Sequence, residues 1–321
     1  MVDHGVLLST RGAVLASADG AELQARTADE VVGFARRAEA LGLDGVWVGD
    51  SVLAKPRHEP LTTLAAVAGA TESVTLGTAV SLPALRDPVH VAHATATLDL
   101  LSGGRFVFGV GTGSTIPAVR DEYAALGVPW DARGDVLDET LDVVAGLWTG
   151  EPVTYAGEHL SYEDASLGFA PDGPPPIYVG SQVHPERGVR RAIRRRVVAH
   201  GAGWLPVHAT PDAIELGRSQ LVDDLVAAGR EPTLDVVYYQ DVCLADDEAE
   251  ALAAARRFVR AYYPGTDPSD DAIRRGAAIG TPERVRDHLE RYAAAGVDGF
   301  VTRFVAPDQV DQLERFAALV A

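Results

Sequence analysis

The 321-residue chain has a single cysteine, Cys243, no basic leader and no long apolar run. One cysteine excludes an internal disulfide and a cluster of thiolate metal ligands. The start, MVDHGVLLST, lacks the basic segment and the apolar core of a signal peptide. No apolar run reaches the roughly 18 residues that a membrane span needs. We therefore expect a cytoplasmic protein that does not enter a membrane.

Basic residues are also scarce, since 28 Lys and Arg stand against 46 Asp and Glu, for a formal net charge of −18. Lys55 is the only lysine, a bias that is typical of a high-GC genome. Nucleic acid and anionic membranes repel an acidic protein, so neither is an expected partner. The hydrophobic content of 47% is sufficient for a full core.

Short apolar segments bounded by Gly, Pro or Asp alternate with longer segments of helical period, which predicts buried strands between helices. The eight predicted strands are 5–10, 45–49, 75–80, 106–110, 176–180, 202–206, 235–242 and 299–304. The eight predicted helices are 27–42, 60–71, 88–101, 131–148, 185–198, 210–228, 246–262 and 281–296. Thr27 with Glu30 predicts a capping box at the start of the first helix, and Thr281 with Pro282 predicts the start of the last.

This alternation indicates parallel strands joined by right-handed crossovers. Eight such units predict an α/β fold, a (β/α)8 TIM barrel that forms a single domain over residues 1–321. A doubly wound sheet is the alternative. Residues 149–175 predict an inserted hairpin, and residues 263–280, rich in Pro, Gly and Asp, predict a loop. Long loops of this kind are often lids or binding loops.

Three alternating glycines, Gly109, Gly111 and Gly113, follow the fourth predicted strand in FVFGVGTGS (106–114). The Rossmann fingerprint G-x-G-x-x-G would need a glycine where Ser114 stands, and it lies in a first strand-to-helix turn rather than a fourth. Glycine at the carboxyl end of a barrel strand lets the backbone approach a ligand closely. The run therefore indicates a ligand-binding turn, with an ordinary tight turn as the alternative.

The chain resembles the bacterial-luciferase-like family of flavin and F420 oxidoreductases. The matching segments are GLDGVWVGDS (42–51), VTLGTAVSLPALRDP (74–88), ATLDLLSGGRFVFGVGTGS (96–114), PPPIYVGSQ (174–182) and AGVDGFVTRF (295–304). They span almost the whole chain in the family's order, and the third is the most specific. The resemblance implies a (β/α)8 barrel with a hairpin inserted before the fifth strand. It also implies a homodimer, and F420 or FMN with its ring in the barrel mouth.

The resemblance places cofactor contacts at three strand ends. They are Thr78, Ala79, Val80 and Ser81, then Gly109, Gly111, Thr112 and Gly113, then Gly180, Ser181 and Gln182. A non-proline cis peptide at Ala79-Val80 would back the ring. The backbone of the Gly180 turn, ahead of a helix that we expect to begin at Pro185, suits the cofactor phosphate. Arginines in 187–196 would meet the cofactor's acidic tail or form a solvated helix face. Ordinary strand ends and turns are the alternatives.

Asp50, Ser51 and Arg303 are the predicted catalytic residues. Asp50 and Ser51 end the second strand, where Asp50 would orient the ring or substrate, with a helix cap as the alternative. Arg303 is a charge inside the last strand and would bind an anionic group at the mouth or form a salt bridge in the barrel rim. Ser51 and Ser114 stand where the family's sugar-phosphate dehydrogenases have a His and a Glu, which argues against that activity. No strong metal-ligand spacing is present, and no metal is expected.

The favoured function is F420-dependent hydride transfer to or from a small organic substrate, since the GTAV and GVGTG segments resemble that branch. An FMN-dependent two-component monooxygenase is the alternative enzyme. A separate flavin or F420 reductase is the expected protein partner. A non-catalytic flavin-binding relative is the rival from another class. The intact glycine turns at the predicted cofactor site argue against that rival.

Overall fold

The computed structural model describes residues 2–11, 28–263 and 265–321. The described residues form eleven strands: β1 (Asp3–Leu7), β2 (Gly45–Val48), β3 (Thr75–Thr78), β4 (Phe106–Val110), β5 (Val153–Ala156), β6 (Ser161–Ala165), β7 (Ile177–Gln182), β8 (Gly201–Val207), β9 (Asp235–Leu244), β10 (Ala277–Gly280) and β11 (Gly299–Phe304). Eight parallel strands form the closed sheet in the order β1-β2-β3-β4-β7-β8-β9-β11. Strand β11 also pairs with β1, from Asp3↔Gly299 to Val6↔Thr302, which closes the sheet.

The same residues form eleven helices that surround the strands. They are α1 (Ala28–Ala40), α2 (Pro60–Ala68), α3 (Pro88–Ser102), α4 (Pro117–Ala125), α5 (Arg133–Leu147), α6 (Arg191–His200), α7 (Pro211–Ala227), α8 (Glu248–Tyr262), α9 (Asp270–Gly276), α10 (Pro282–Ala294) and α11 (Gln309–Val320). Helices and strands alternate around the closed sheet, which confirms the predicted (β/α)8 TIM barrel and excludes the doubly wound sheet. No helix in the described ranges is long and apolar enough to cross a membrane.

Each predicted barrel strand is present. Strands β4 and β11 have the predicted bounds, and the ends of the others differ by a few residues. The antiparallel pair β5–β6 is the hairpin expected within 149–175. The predicted loop at 263–280 is wrong in its second half, which contains α9 and β10. Strand β10 pairs with the end of β9, from Ala277↔Asp241 to Gly280↔Leu244, so a tertiary partner decides its conformation.

Helix ends follow local capping chemistry. The carboxylate of Asp87 accepts hydrogen bonds from the backbone N–H groups of Val89 and His90, and Pro88 occupies the first turn of α3. Thr281 is the N-cap of α10, as predicted. The predicted capping box is not tested, because Thr27 lies outside the described residues. Helices α4 and α11 were not predicted.

The barrel interior forms a hydrophobic cluster distinct from the core between strands and helices. Its buried members are Leu7, Trp47, Val107, Tyr178, Leu205, Val237 and Val301. The rings of Trp47 and Tyr178 pack with their centroids 6.3 Å apart. Ala79 and Val80 are partly buried against this cluster. The filled interior therefore forms a solid floor, and ligands are confined to the mouth at the carboxyl ends of the strands.

Candidate active site

The end of β3 has the irregular backbone that resemblance to the family implied. The Ala79-Val80 peptide bond is cis. Beyond it, the Ser81 N–H donates to the carbonyl oxygen of Gly109 at 2.7 Å, and the Gly111 N–H donates to the carbonyl oxygen of Ser81 at 2.9 Å. These bonds tie the bulged segment to β4. Val80 is thereby held, half-buried, at the barrel mouth.

Two of the predicted glycines make room for the side chain of Val80. A Cβ atom at position 180 would lie 2.6 Å from Val80 Cγ1, and a Cβ atom at position 111 would lie 2.8 Å from Val80 Cγ2. Both distances are far inside van der Waals contact. Gly111 and Gly180 are therefore required by the bulge, and β3, β4 and β7 together present an apolar surface at one side of the mouth.

The hydroxyl groups of the predicted residues Thr78 and Ser181 form hydrogen bonds within the protein. The Thr78 hydroxyl donates to the carbonyl oxygen of Gly109 at 2.7 Å, and Trp204 Nε1 donates to the Ser181 hydroxyl at 2.9 Å. Gly113 adopts a positive φ of 73°, which suits glycine in this exposed loop. Gln182 and Gly113 are exposed, and Thr112 is half-buried.

The expected helix start beside Gly180 is wrong. Ser181 and Gln182 belong to β7, and α6 begins only at Arg191. The imidazole Nδ1 of His184 accepts hydrogen bonds from the N–H groups of Glu186 and Arg187, both at 3.1 Å. These bonds hold residues 184–188 in a turn instead of a first helical turn, so no helix N-terminus lies next to Gly180.

Two arginines within 187–196 form ion pairs with carboxylates of other helices. Arg194 pairs with Asp224 through Nε at 2.5 Å, and Arg196 pairs with Asp138 through Nε at 2.6 Å. Arg196 is buried. These pairs join α6 to α7 and to α5, so the structure favours a scaffold role for both arginines over contact with a cofactor tail.

Asp50 lies at the end of β2, as predicted, but its carboxylate is fully paired. Arg86 donates to both carboxylate oxygens, at 2.6 and 2.9 Å, and the Leu82 N–H donates at 2.9 Å. The Asp50 side chain has no exposed surface. Burial disfavours the charge of Arg86, but Asp50 outweighs burial and raises the pKa of the guanidinium. Asp50 therefore fixes the segment after the bulge rather than facing the mouth.

Ser51 is held by a residue that the sequence analysis missed. Its hydroxyl donates to Glu122 Oε1 at 3.0 Å, and the same oxygen accepts from the N–H groups of Leu53 and Ala54 at 2.6 and 3.1 Å. Glu122 lies on α4 and is 1% exposed. This carboxylate anchors the loop after β2. The sequence analysis had no reason to select Glu122, because the helix that contains it, α4, was not predicted.

Arg303 forms the salt bridge in the barrel rim that was one of its two predicted roles. It pairs with Asp241 on β9 through two hydrogen bonds of 2.7 and 2.6 Å. Burial disfavours the charge of the half-buried Arg303 guanidinium, but the nearby Asp241 carboxylate outweighs burial and raises its pKa. Its remaining nitrogen, Nη1, donates to the Tyr263 hydroxyl at 3.4 Å.

Four cationic side chains surround Tyr262, at the end of α8. They are Arg11, Lys55, Arg57 and Arg303, called the basic cluster below. The Cζ atoms of Arg11 and Arg303 lie 4.3 and 5.0 Å from the centroid of the Tyr262 ring. Arg57 Nη2 donates to the Tyr262 hydroxyl at 3.4 Å. Only Arg303 was predicted. The others lie in loops after β1 and β2, a position that could have marked them as candidates.

The basic cluster changes the acidity of Tyr262. Burial raises the pKa of the hydroxyl, but the cluster outweighs burial and lowers the pKa to about 8. Burial also lowers the pKa of the Lys55 ammonium, which Tyr262 opposes and the neighbouring arginines reinforce. Tyr262 therefore has a hydroxyl that can release or accept a proton near neutral pH, unlike an ordinary tyrosine.

A narrow cleft opens beside Tyr262. Its lining consists of Leu7, Leu8, Ser9, Thr10, Arg11, Gly49, Arg57, Phe258, Tyr262, Arg303, Phe304 and Gln309. The cleft has a volume of about 340 Å³, part of it open to solvent. The lining among the described residues contains three arginines and no carboxylate. In a chain of net charge −18, this cleft is locally positive.

Residues 3–299 match the family of luciferase-like monooxygenases. The 5,10-methylenetetrahydromethanopterin reductase of Archaeoglobus fulgidus is 28% identical over 279 residues, which cover 87% of this chain and 79% of the reductase. An F420-dependent glucose-6-phosphate dehydrogenase of Kribbella flavida is 38% identical over 314 residues, which cover 89% of this chain and 91% of the dehydrogenase.

Two solved structures share the fold. An F420-dependent secondary alcohol dehydrogenase, in complex with an F420-acetone adduct, superposes with a TM-score of 0.81 at 21% identity, over 99% of this chain and 98% of the dehydrogenase. A monooxygenase from Streptomyces bottropensis superposes with a TM-score of 0.78 at 23% identity, over 99% and 97%. With the family match over nearly the whole sequence, the chain belongs to the luciferase-like monooxygenase family and is an oxidoreductase of that class.

Proposed function

We propose that this protein uses coenzyme F420 to transfer a hydride to or from a small organic substrate. The observation that carries the proposal is the apolar surface at the barrel mouth, called the bulge surface below, where Val80 is seated against Gly111 and Gly180. The long match to an F420-dependent dehydrogenase supports the choice of F420. The roles of the predicted residues in cofactor binding and catalysis are also part of this proposal.

The bulge surface fits a flat cofactor ring. Ala79 and Val80 are half-buried and stand on the packed cluster around Trp47, so a ring laid against them would meet a firm apolar floor. The glycines at 111 and 180 have no side chains that would rise above that floor. When bound there, F420 would supply the hydride donor or acceptor, and the protein's own groups would orient the substrate and keep water out.

Tyr262 is the group that we assign to proton transfer. A hydride added to a carbonyl leaves an oxygen that needs a proton, and a hydroxyl with a pKa of about 8 can provide it at Oη. Ser51 is unsuited to this task, because its hydroxyl already donates to the buried Glu122. Asp50 is unsuited as well, since Arg86 and the Leu82 N–H occupy its oxygens. We therefore assign positioning roles to Asp50 and Ser51.

An FMN-dependent monooxygenase remains the second candidate. The structural similarity to a monooxygenase favours it, although at 23% identity that similarity concerns the fold alone. A homodimer in the cytoplasm is also part of the proposal. Leu100 and Leu101 at the end of α3 and Leu41 after α1 are exposed large apolar side chains, which suit an interface. Light scattering of the purified protein would give a monomer mass if the dimer is wrong.

Cofactor choice is tested by titrating the purified protein with F420 and with FMN while recording tryptophan fluorescence. Trp47 packs under the bulge, so a ring bound there should quench it. The Trp47→Phe variant should lose most of the quenching. Trp148→Phe should keep it, because Trp148 lies outside the barrel interior and bonds to Thr95.

Tight binding of F420 with weak binding of FMN would support the proposal. The reverse order would overturn it in favour of the monooxygenase, which an oxygen-uptake assay with reduced FMN would then examine. Binding of neither cofactor to the folded protein would contradict both enzyme candidates.

A further inference from the structure

We propose that the basic cluster is a binding site for a carboxylate or phosphate group of the substrate. The inference deepens the proposed function, on which it rests, by assigning the substrate to the anionic organic compounds. It is carried by the arrangement of charges in the cleft beside Tyr262.

The first observation is that buried guanidinium groups in this cleft lack partners. Arg11 is 8% exposed, and its Nε and Nη1 atoms have no hydrogen-bond partner in the described part of the chain. The Nε atom of Arg57 is also buried without one. A buried donor left unpaired is costly, and the cost is larger for a charged group. An anion in the cleft would supply acceptors to several of these nitrogens at once.

The second observation is the shortage of negative charge around the cluster. Arg303 is neutralised by Asp241, which lies behind it on β9. Arg11, Lys55 and Arg57 have no ion pair with a carboxylate among the described residues, in a protein where acidic side chains outnumber basic ones. Like-charged groups held together at partial burial repel each other, and a bound anion would relieve that repulsion.

The third observation is that the Arg57 guanidinium lies against the backbone at the end of β2. A Cβ atom at position 49 would meet Arg57 Nη1, so the guanidinium occupies the space beside Gly49. The Ser9 and Thr10 side chains add hydroxyl groups to the same lining. Together with the three arginines of the lining, these hydroxyl groups are donors suited to an anionic group.

The position of the cleft favours the substrate as the source of the anion. The cleft is formed at β1, β2 and β11, while the bulge surface lies at β3, β4 and β7. In the closed order of strands, β1 stands opposite β7 and β11 stands opposite β4. A ring on the bulge surface would therefore have the basic cluster across the mouth, where the reacting partner must lie. The phosphate of the cofactor itself is the other possible source.

The test uses inorganic phosphate as the probe, titrated calorimetrically into the cofactor-free full-length protein in a phosphate-free buffer. Wild type should bind phosphate at one site. Arg57→Met and Arg11→Met should each weaken binding by about tenfold or more, the usual effect of losing a hydrogen bond between charged groups. Arg260→Met is the matched control. Its side chain is exposed on the same helix as Tyr262 and pairs with Asp267, so binding should be unchanged.

Absence of phosphate binding by wild type, or equal weakening in the Arg260→Met control, would overturn the proposal.

The wild type also permits a test that needs no variant. Lys55 is the only lysine, so an amine-reactive label on residue 55 can be quantified by peptide mass spectrometry. Phosphate should slow that labelling several-fold, and unchanged labelling would count against the site.

The source of the anion is decided by titrating F420 with and without saturating phosphate. An unchanged dissociation constant for F420 would support a substrate subsite. Competition between the two would overturn the assignment to the substrate, since the anion would then be the cofactor's own phosphate. Failure of F420 to bind at all, with phosphate still bound, would contradict the proposed function and leave the anion site in place.

Discussion

At the residue scale, the ionisation of Tyr262 is the feature most open to direct measurement. Tyrosinate absorbance near 295 nm should show a single step near pH 8, because the basic cluster lowers the pKa of this hydroxyl to about 8. Burial and neighbouring acids raise the pKa of Tyr155 and of Tyr162 to about 12, so they should not titrate in this range. Tyr262→Phe should remove the step, while Tyr155→Phe should leave it in place.

The same residue links stability to pH. The pKa of the Tyr262 hydroxyl is lower in the folded state than its ordinary value of about 10 in the unfolded chain. Its contribution to stability is therefore fully present above about pH 10 and is lost as the pH falls through about 8. The charged groups facing it are the basic cluster, with Asp241 behind Arg303. A Tyr262→Phe variant with an unchanged slope of stability between pH 8 and 10 would contradict this account.

Asp50 gives a second prediction at the residue scale. Asp50→Asn should lower the free energy of unfolding by about 3 kcal/mol, because it leaves Arg86 partly buried without its main partner. Arg86→Gln alone should have a similar effect. The double variant should cost clearly less than the two single variants together, since both remove the same interaction. Urea denaturation measures all three, and strictly additive losses would show that the pair is not the source.

At the element scale, the bulge of β3 depends on two neighbouring strands. Gly180→Ala should destabilise the protein by about 1–3 kcal/mol, because the added Cβ would lie 2.6 Å from Val80 Cγ1. Val80→Ala in the same chain should restore part of that loss by removing the clashing methyl group. Thermal and chemical denaturation of the single and double variants measure the coupling.

Gly33→Ala is the matched control for the glycine substitution. Gly33 is exposed within α1, and a Cβ there would meet nothing within 4 Å. Alanine should stabilise this helix by about 0.5–1 kcal/mol. If Gly180→Ala were as harmless as Gly33→Ala, the close seating of Val80 on β7 could not be what shapes the mouth.

At the scale of the whole molecule, protonation of His288 on α10 should lower the free energy of unfolding at acidic pH. Burial, reinforced by Arg291, lowers the pKa of this imidazole to about 4, and its ring stacks on Tyr292 at 4.5 Å between centroids. The contribution of the neutral ring is present above the ordinary pKa of about 6.5 and is lost as the pH falls towards 4. His288→Phe should flatten the stability profile between pH 6.5 and 4 in urea titrations. His90→Phe, at an exposed histidine, should not.

Much of this architecture is determined by the sequence itself. Segments such as 106–110 and 299–304 are short and largely apolar, and they form strands in the structure with the predicted bounds. Local pattern suffices here because a strand buried on both faces is a nearly continuous hydrophobic run. The cis peptide at Ala79-Val80 was implied by resemblance to the family, and the structure contains that bond. The resemblance gave Gly111 and Gly180 only as cofactor contacts, and their close fit to Val80 is seen in the structure alone.

Only the tertiary structure decided which charges are paired and which remain free. Asp50 and Arg303 are equally conspicuous in the sequence, yet each is neutralised by a residue far along the chain, Arg86 and Asp241. Barrel closure brings Arg11, Lys55 and Arg57 from loops after two strands onto Tyr262 at the end of a distant helix. Coulomb interactions depend on distance in space rather than in sequence. A list of charged residues could therefore name candidates but could not distinguish structural ion pairs from a binding site.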